Sequence, residues 1–162
     1  MPYALFHYKF PDVAIKETRS FTSFDKPELA GDEFGLLEMY CDEPGCDCRR
    51  VMFCVMSQLR SKPVAYIGYG WEDEKFYMKR FRFIDRDDVQ ELQGPSLNLM
   101  SPQSNLAPAI LEVVAEILED RLYVERLKRH YNMFRATIEK ETGKLRKRSN
   151  QTKKPKHKKH RR

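Results

Sequence analysis

Three of the four cysteines in this chain fall within eight positions, in Tyr40-Cys41-Asp42-Glu43-Pro44-Gly45-Cys46-Asp47-Cys48-Arg49-Arg50-Val51. A Pro-Gly pair sits inside the cluster and an apolar run flanks it on each side. Gly35–Cys41 and Arg49–Ser57 therefore read as two strands joined by a turn that carries the thiols. In the second strand Val51, Phe53 and Val55 alternate with Met52, Cys54 and Met56, so both faces are apolar. That pattern suits a central strand covered on both sides. A fold built on this chain has to accommodate a hairpin with a crowded sulfur turn.

The thiols bear on the chemistry. Cys41, Cys46 and Cys48 form C-x4-C-x-C. Pro44-Gly45 lets the chain fold back so that Cys41 meets Cys46. Residues two apart on an extended segment share a side, which brings in Cys48. Three converging thiolates suit a soft divalent cation, most simply Zn2+, which takes four Cys or His ligands in a tetrahedral structural site. Free or redox-active thiols are the competing reading.

The fourth ligand is not adjacent in sequence. Cys54 lies six residues beyond Cys48, or roughly 20 Å along an extended strand at about 3.3 Å per residue. Two sulfurs on one zinc are at most about 4.6 Å apart. Cys54 is thus expected to be a buried core thiol. His130 is the expected fourth ligand. At about 100° per residue it shares one helical stripe with Tyr123, Leu127, Phe134 and Ile138. The ordinary alternative is a core histidine bonded to a carbonyl or a carboxylate. His7 is held in reserve, and His157 and His160 are poor candidates. A closed Cys3His site would be structural, since no position is left for substrate water.

Strands precede helices along the chain, which indicates an α+β domain over residues 1–143, with a small antiparallel or mixed sheet packed by C-terminal helices. Ala4–Phe10 and Ala14–Phe24 read as short strands on their Tyr, Phe, Val, Ile and Thr content. Pro63–Trp71 reads as a further strand. Glu72, Asp73 and Glu74 favour a helix over 73–80, and Asp85–Leu92 reads as a short acidic helix stopped by Gly94-Pro95. Ser104 caps a helix to about Leu118, with Leu106, Ile110, Val114 and Leu118 on its apolar face. Asp120 caps the last helix, which Gly143 is expected to end.

Three segments together resemble an uncharacterised bacterial protein group, some members of which carry a SEC-C type zinc motif. They are the Tyr40–Val51 cluster, Tyr66-x-x-Tyr69-Gly70-Trp71, and Arg126-x-x-Arg129-His130-Tyr131. The resemblance implies a retained cysteine cluster and His130, and it supplies no activity. The SEC-C motif itself is absent, because residues 144–162 contain no cysteine.

Charge divides the chain. Its net charge is +6, yet Lys144–Arg162 holds eleven Lys/Arg and no Asp/Glu. Residues 1–143 then carry nineteen Lys/Arg against twenty-four Asp/Glu, a net of −5. The tail has one Leu as its only apolar residue, too little to fold on, and is expected to be disordered. Lys147, Arg148, Lys153, Lys154, Lys156, Lys158 and Lys159 are its candidate contacts to a polyanion such as RNA or the ribosome, sequence-blind and salt-sensitive. It has no aromatic residue for stacking on bases.

No signal peptide is visible, and the longest apolar run, Val51–Met56, is far too short to cross a membrane. A cytoplasmic location follows as an expectation, and a reducing compartment favours metal ligation over disulfides. No Ser-His-Asp pattern, P-loop, GxGxxG or HExxH occurs. The expected function is that of a non-enzymatic zinc protein whose hairpin is clamped to the last helix. Two enzyme readings stay open: a hydrolase with zinc-bound water and Asp42, Glu43 or Asp47 as base, or a redox protein using Cys46 and Cys48.

Overall fold

A computed structural model describes residues 2–82 and 85–153. The α+β expectation holds. β3 (Phe34–Cys41), β4 (Arg50–Ser57) and β5 (Lys62–Gly70) form an antiparallel meander. β1 (Tyr3–Leu5) and β2 (Ser20–Phe21) both pair with β3, and β6 (Ser96–Leu97) closes the other edge on β5. Every pairing is antiparallel. β4 is central, as its two apolar faces require. Val51, Phe53 and Val55 enter the main core with Ile110, Val114, Leu127 and Phe134, while Met52 and Cys54 are buried outside that cluster.

The N-terminal segment departs from expectation. Residues 6–17 are two short helices, α1 (Phe6–Lys9) and α2 (Pro11–Glu17), rather than strands. Pro11 opens α2, where its missing N–H costs nothing. Phe6 on α1 and Ala14 on α2 are buried, and Phe10, whose backbone leaves the helical region, divides the two helices. Local strand propensity loses to that tertiary packing. α1 and α2 bring Phe6 and Glu17 against the last helix.

α3 (Glu74–Arg80) and α4 (Arg86–Gln93) form as expected, each capped by an aspartate: Asp73 accepts from Phe76 N and Asp85 from Asp88 N. They sit over one end of β5. Gly70 makes this possible, because any side chain there would collide with the Tyr77 hydroxyl and the Leu92 carbonyl. α5 (Ala107–Ile117) packs on β5 and β6. It starts past the expected Ser104 cap, whose hydroxyl accepts from Leu106 N in the turn before the helix, while Leu106 takes the cap position without a side-chain bond.

α6 (Arg121–Thr152) is capped by Asp120, whose side chain accepts from Leu122 N and Tyr123 N. It does not stop at Gly143. That glycine has no positive φ, so it does not build the left-handed stop that ends many helices. Strong helix formers on both sides carry the helix through it. Residues 144–152, expected to be disordered, are therefore helical and exposed. Lys154, Lys156, Lys158 and Lys159 lie outside the described residues.

Candidate metal centre

The three thiols meet at the end of the β3–β4 hairpin. Cys41 is the last residue of β3, and residues 42–49 loop over to β4. Cys46 N donates to Glu43 O at 3.2 Å to close the turn. Gly45 takes φ +74° and Arg49 φ +48°. The left-handed backbone at Gly45 is free to a residue without Cβ. With the loop so folded, the Sγ atoms of Cys41, Cys46 and Cys48 all lie within 4.8 Å of one another. Cys41 and Cys48 are fully buried and Cys46 is half-buried.

Two helices hold this loop. From α6, Arg135 donates to Cys41 O at 2.7 Å and to Glu43 O at 2.9 Å. Glu139 accepts from Gly45 N at 2.7 Å and from Arg135 at 2.7 Å. The Tyr131 hydroxyl accepts from Arg49 N at 3.1 Å. Residues 131, 135 and 139 are one turn apart and share a face. From α3, the Tyr77 hydroxyl donates to Arg49 O at 3.0 Å. Arg80 reaches Asp47 O at 3.4 Å and stands 3.8 Å from Cys46 Sγ. The Arg49 side chain pairs with Asp47 and Glu72 and lies over the Phe76 ring. The loop is fixed before any ligand is considered, which is the preorganisation a metal site needs.

Electrostatics give the reason for a cation. Burial, reinforced by the neighbouring Cys46 and Cys41 sulfurs, pushes the Cys48 thiol up to about 12. Burial also raises Cys41, with the sulfur of Cys46 adding to it against a backbone hydrogen bond at Glu43. Three sulfurs this close cannot all be thiolates without a positive charge among them. A divalent ion supplies it.

His130 does not complete the set. It is buried, as its stripe on α6 predicts, but both ring nitrogens are engaged elsewhere. Nδ1 is 2.7 Å from Glu38 Oε2 and Nε2 is 2.5 Å from Glu17 Oε2. Phe6 stacks on the ring at 4.4 Å. Neither nitrogen has a lone pair turned toward the sulfurs. His130 is the carboxylate-bonded core histidine that stood as the ordinary alternative. Glu38 is the physical reason: it occupies an inward position of β3 between Leu36 and Tyr40, and a buried carboxylate needs a cationic partner. His7 lies on α1 and is not part of the group either. Cys54 is buried in β4 opposite Leu37 and Tyr66, the core thiol expected of it. Among the described residues, no fourth His, Cys, Asp or Glu joins the three sulfurs.

The sequence reading missed the clamping residues Arg135, Glu139, Tyr77 and Arg80. A signal for two of them existed: Arg135 and Glu139 continue the turn-by-turn series from Tyr131, and Arg135 is only 8% exposed, so that face had to meet polar groups. Of the bases considered for hydrolysis, Asp47 has its carboxylate held by Arg49. In the C-terminal part of α6, Lys147 and Arg148 are exposed with Lys144 and Arg146, and Lys153 is exposed just past its end. No described helix is long and apolar enough to cross a membrane.

Comparison of the chain with protein-family models, curated proteins and solved structures returns no match.

Proposed function

We propose that this is a zinc-binding protein whose metal is held by Cys41, Cys46 and Cys48 and has a structural role. The observation that carries the proposal is the convergence of three sulfurs within 4.8 Å on a loop already tied to two helices. Thiolate donors suit Zn2+ among the abundant divalent ions. The fourth position belongs to water or another small ligand. Three anionic sulfurs leave the zinc with little charge to acidify that water, which favours the structural role over hydrolysis. The exposed basic part of α6, beginning at Lys144, is the contact for a polyanion, with RNA as the partner proposed. Four cations on an exposed helix, Lys144, Arg146, Lys147 and Arg148, and Lys153 just past its end, without an intervening acid, support that part.

Native mass spectrometry of the full chain, with metal identified by elemental analysis, tests the site. One zinc is expected in the wild type and in Cys54→Ser, and in His130→Gln if that variant folds. Cys41→Ser or Cys48→Ser is expected to lose it. Zinc-free wild-type protein, or zinc that survives both of the latter changes, overturns the assignment.

A further inference from the structure

The three sulfurs differ in exposure. Cys41 and Cys48 are fully enclosed, whereas Cys46 is only partly buried in the loop between the strands. Anything arriving from solution meets Cys46 first. The two enclosed sulfurs lie within 4.8 Å of it, close enough for a modest movement of Cys46 to bring one into bonding distance at about 2.05 Å. An accessible thiol with a resolving thiol at hand is the arrangement found in redox-sensing cysteines.

We infer that Cys46 is a site of oxidation by hydroperoxides and that its oxidation ejects the metal. This rests on the metal assignment above. The Cys46 sulfur attacks the peroxide, an O–O bond breaks, and Cys46 becomes a sulfenic acid while the leaving hydroxide takes up a proton to form water. A second sulfur then attacks Cys46, the S–O bond breaks, and another water leaves. Two thiolates, one hydroperoxide and two protons thus give one disulfide and two waters, or one water and an alcohol from an alkyl hydroperoxide. Two thiolate electrons reduce the O–O bond and the metal changes no oxidation state. Cys41 is the resolving partner. Four residues separate it from Cys46, whereas one separates Cys48, and a ring closed over a single residue is the more strained. The new bond removes two of three sulfurs from the metal, and one thiolate does not retain it.

The movement this requires is confined to Cys46 itself, since Glu139 and Arg80 hold the backbone of its neighbours at Gly45 N and Asp47 O. Cys46 lies between Gly45, which holds φ +74°, and Asp47, outside both strands. Arg80, 3.8 Å from Cys46 Sγ, balances the net negative charge of a three-thiolate zinc centre and leaves with its partner when that charge is lost.

The test uses the full-length metal-loaded protein and hydrogen peroxide. Metal is counted by native mass spectrometry, and each thiol is mapped by differential alkylation and peptide analysis. One molar equivalent of peroxide is expected to convert one bound zinc to none as a Cys41–Cys46 disulfide forms, and a dithiol reductant with added zinc is expected to restore the starting mass. In Cys46→Ser the two enclosed sulfurs are expected to oxidise more slowly than the wild-type pair, as enclosed thiols do. Because that variant can itself lose metal, the wild-type peptide map decides. Zinc retained under peroxide with all thiols alkylated after unfolding overturns the switch and leaves the metal site standing. A first disulfide between Cys41 and Cys48, or oxidation of Cys46 to a sulfinic acid with no disulfide, also overturns it. Untreated protein without metal overturns the site and the switch together.

Discussion

His130 links three elements through one ring. Glu17 at the end of α2 and Glu38 on β3 each take one nitrogen, and the Tyr40 hydroxyl donates to the same Glu38 oxygen at 2.8 Å. With a carboxylate at each nitrogen, the ring is held as an imidazolium. Burial pushes His130 down, but the hydrogen bonds and charges of Glu38 and Glu17 override it and raise the group above its ordinary value. The Arg129 hydrogen bond, followed by that of His130, holds Glu17 down at about 2. For the raised group, the stabilisation is complete below its ordinary value near 6.5 and is lost as pH rises through the higher native one. For the lowered group, it is complete above the ordinary 4.5 and is lost as pH falls through about 2. Stability should therefore crest between pH 4.5 and 6.5 as far as this cluster is concerned. Urea unfolding across pH 3–9 on wild type and His130→Gln checks this, with the alkaline decline flattened in the variant. His130→Ala leaves Glu38 buried without its cation and is expected to cost about 3–5 kcal/mol.

At the scale of elements, α6 does two jobs with one continuous helix: it packs the core and it holds the cysteine loop. Arg135→Ala removes hydrogen bonds to Cys41 O and Glu43 O, and Glu139→Ala removes the one from Gly45 N. Charged partners of this kind are worth about 1.5–3 kcal/mol each. Zinc affinity is expected to fall in Arg135→Ala without loss of a sulfur ligand, read by competition with a chelator, and an unchanged affinity would mean that the loop is set by its own turn. Gly143 gives the opposite case. It is helical with open space around its Cα, so Gly143→Ala should stabilise the chain by about 0.5–1 kcal/mol, seen as a raised Tm. The sequence made β3, β4 and β5 legible by their strand composition, α3 and α4 by their first-turn acids and α5 by its apolar periodicity, all of which are local, while the Ser104 cap read for α5 did not form. It misled at residues 6–9 and 14–17, where strand formers are recruited into helices by contact with α6, and at Gly143, where composition says nothing about whether a left-handed stop forms. The three sulfurs were legible since one short loop holds them. His130 was not, because its partners are 92 and 113 residues away.

For the whole molecule, the separation of charge matters most. A body of net −5 carries a helical extension with only basic ionisable groups. Ending the chain after Gly143 should leave the unfolding transition of the body in place. Binding of a structureless RNA, followed by fluorescence anisotropy between about 50 and 300 mM salt, should weaken, and the slope of log K against log salt should flatten by about 0.7 for each phosphate no longer neutralised. A slope unchanged by the truncation would assign RNA binding to the body or to nothing.

The turn-by-turn grip of Tyr131, Arg135 and Glu139 on the sulfur loop has a consequence for how this chain tolerates change in length. A single residue inserted between Tyr131 and Glu139 turns everything beyond it by about 100° and slides it by about 1.5 Å. The carboxylate that receives Gly45 would then face away, whereas the Gln58–Ser61 hairpin turn can lengthen without that penalty. The helix acts as a toothed rack and the loop as its pinion: substitutions can wear a tooth, but an insertion puts the whole train out of mesh.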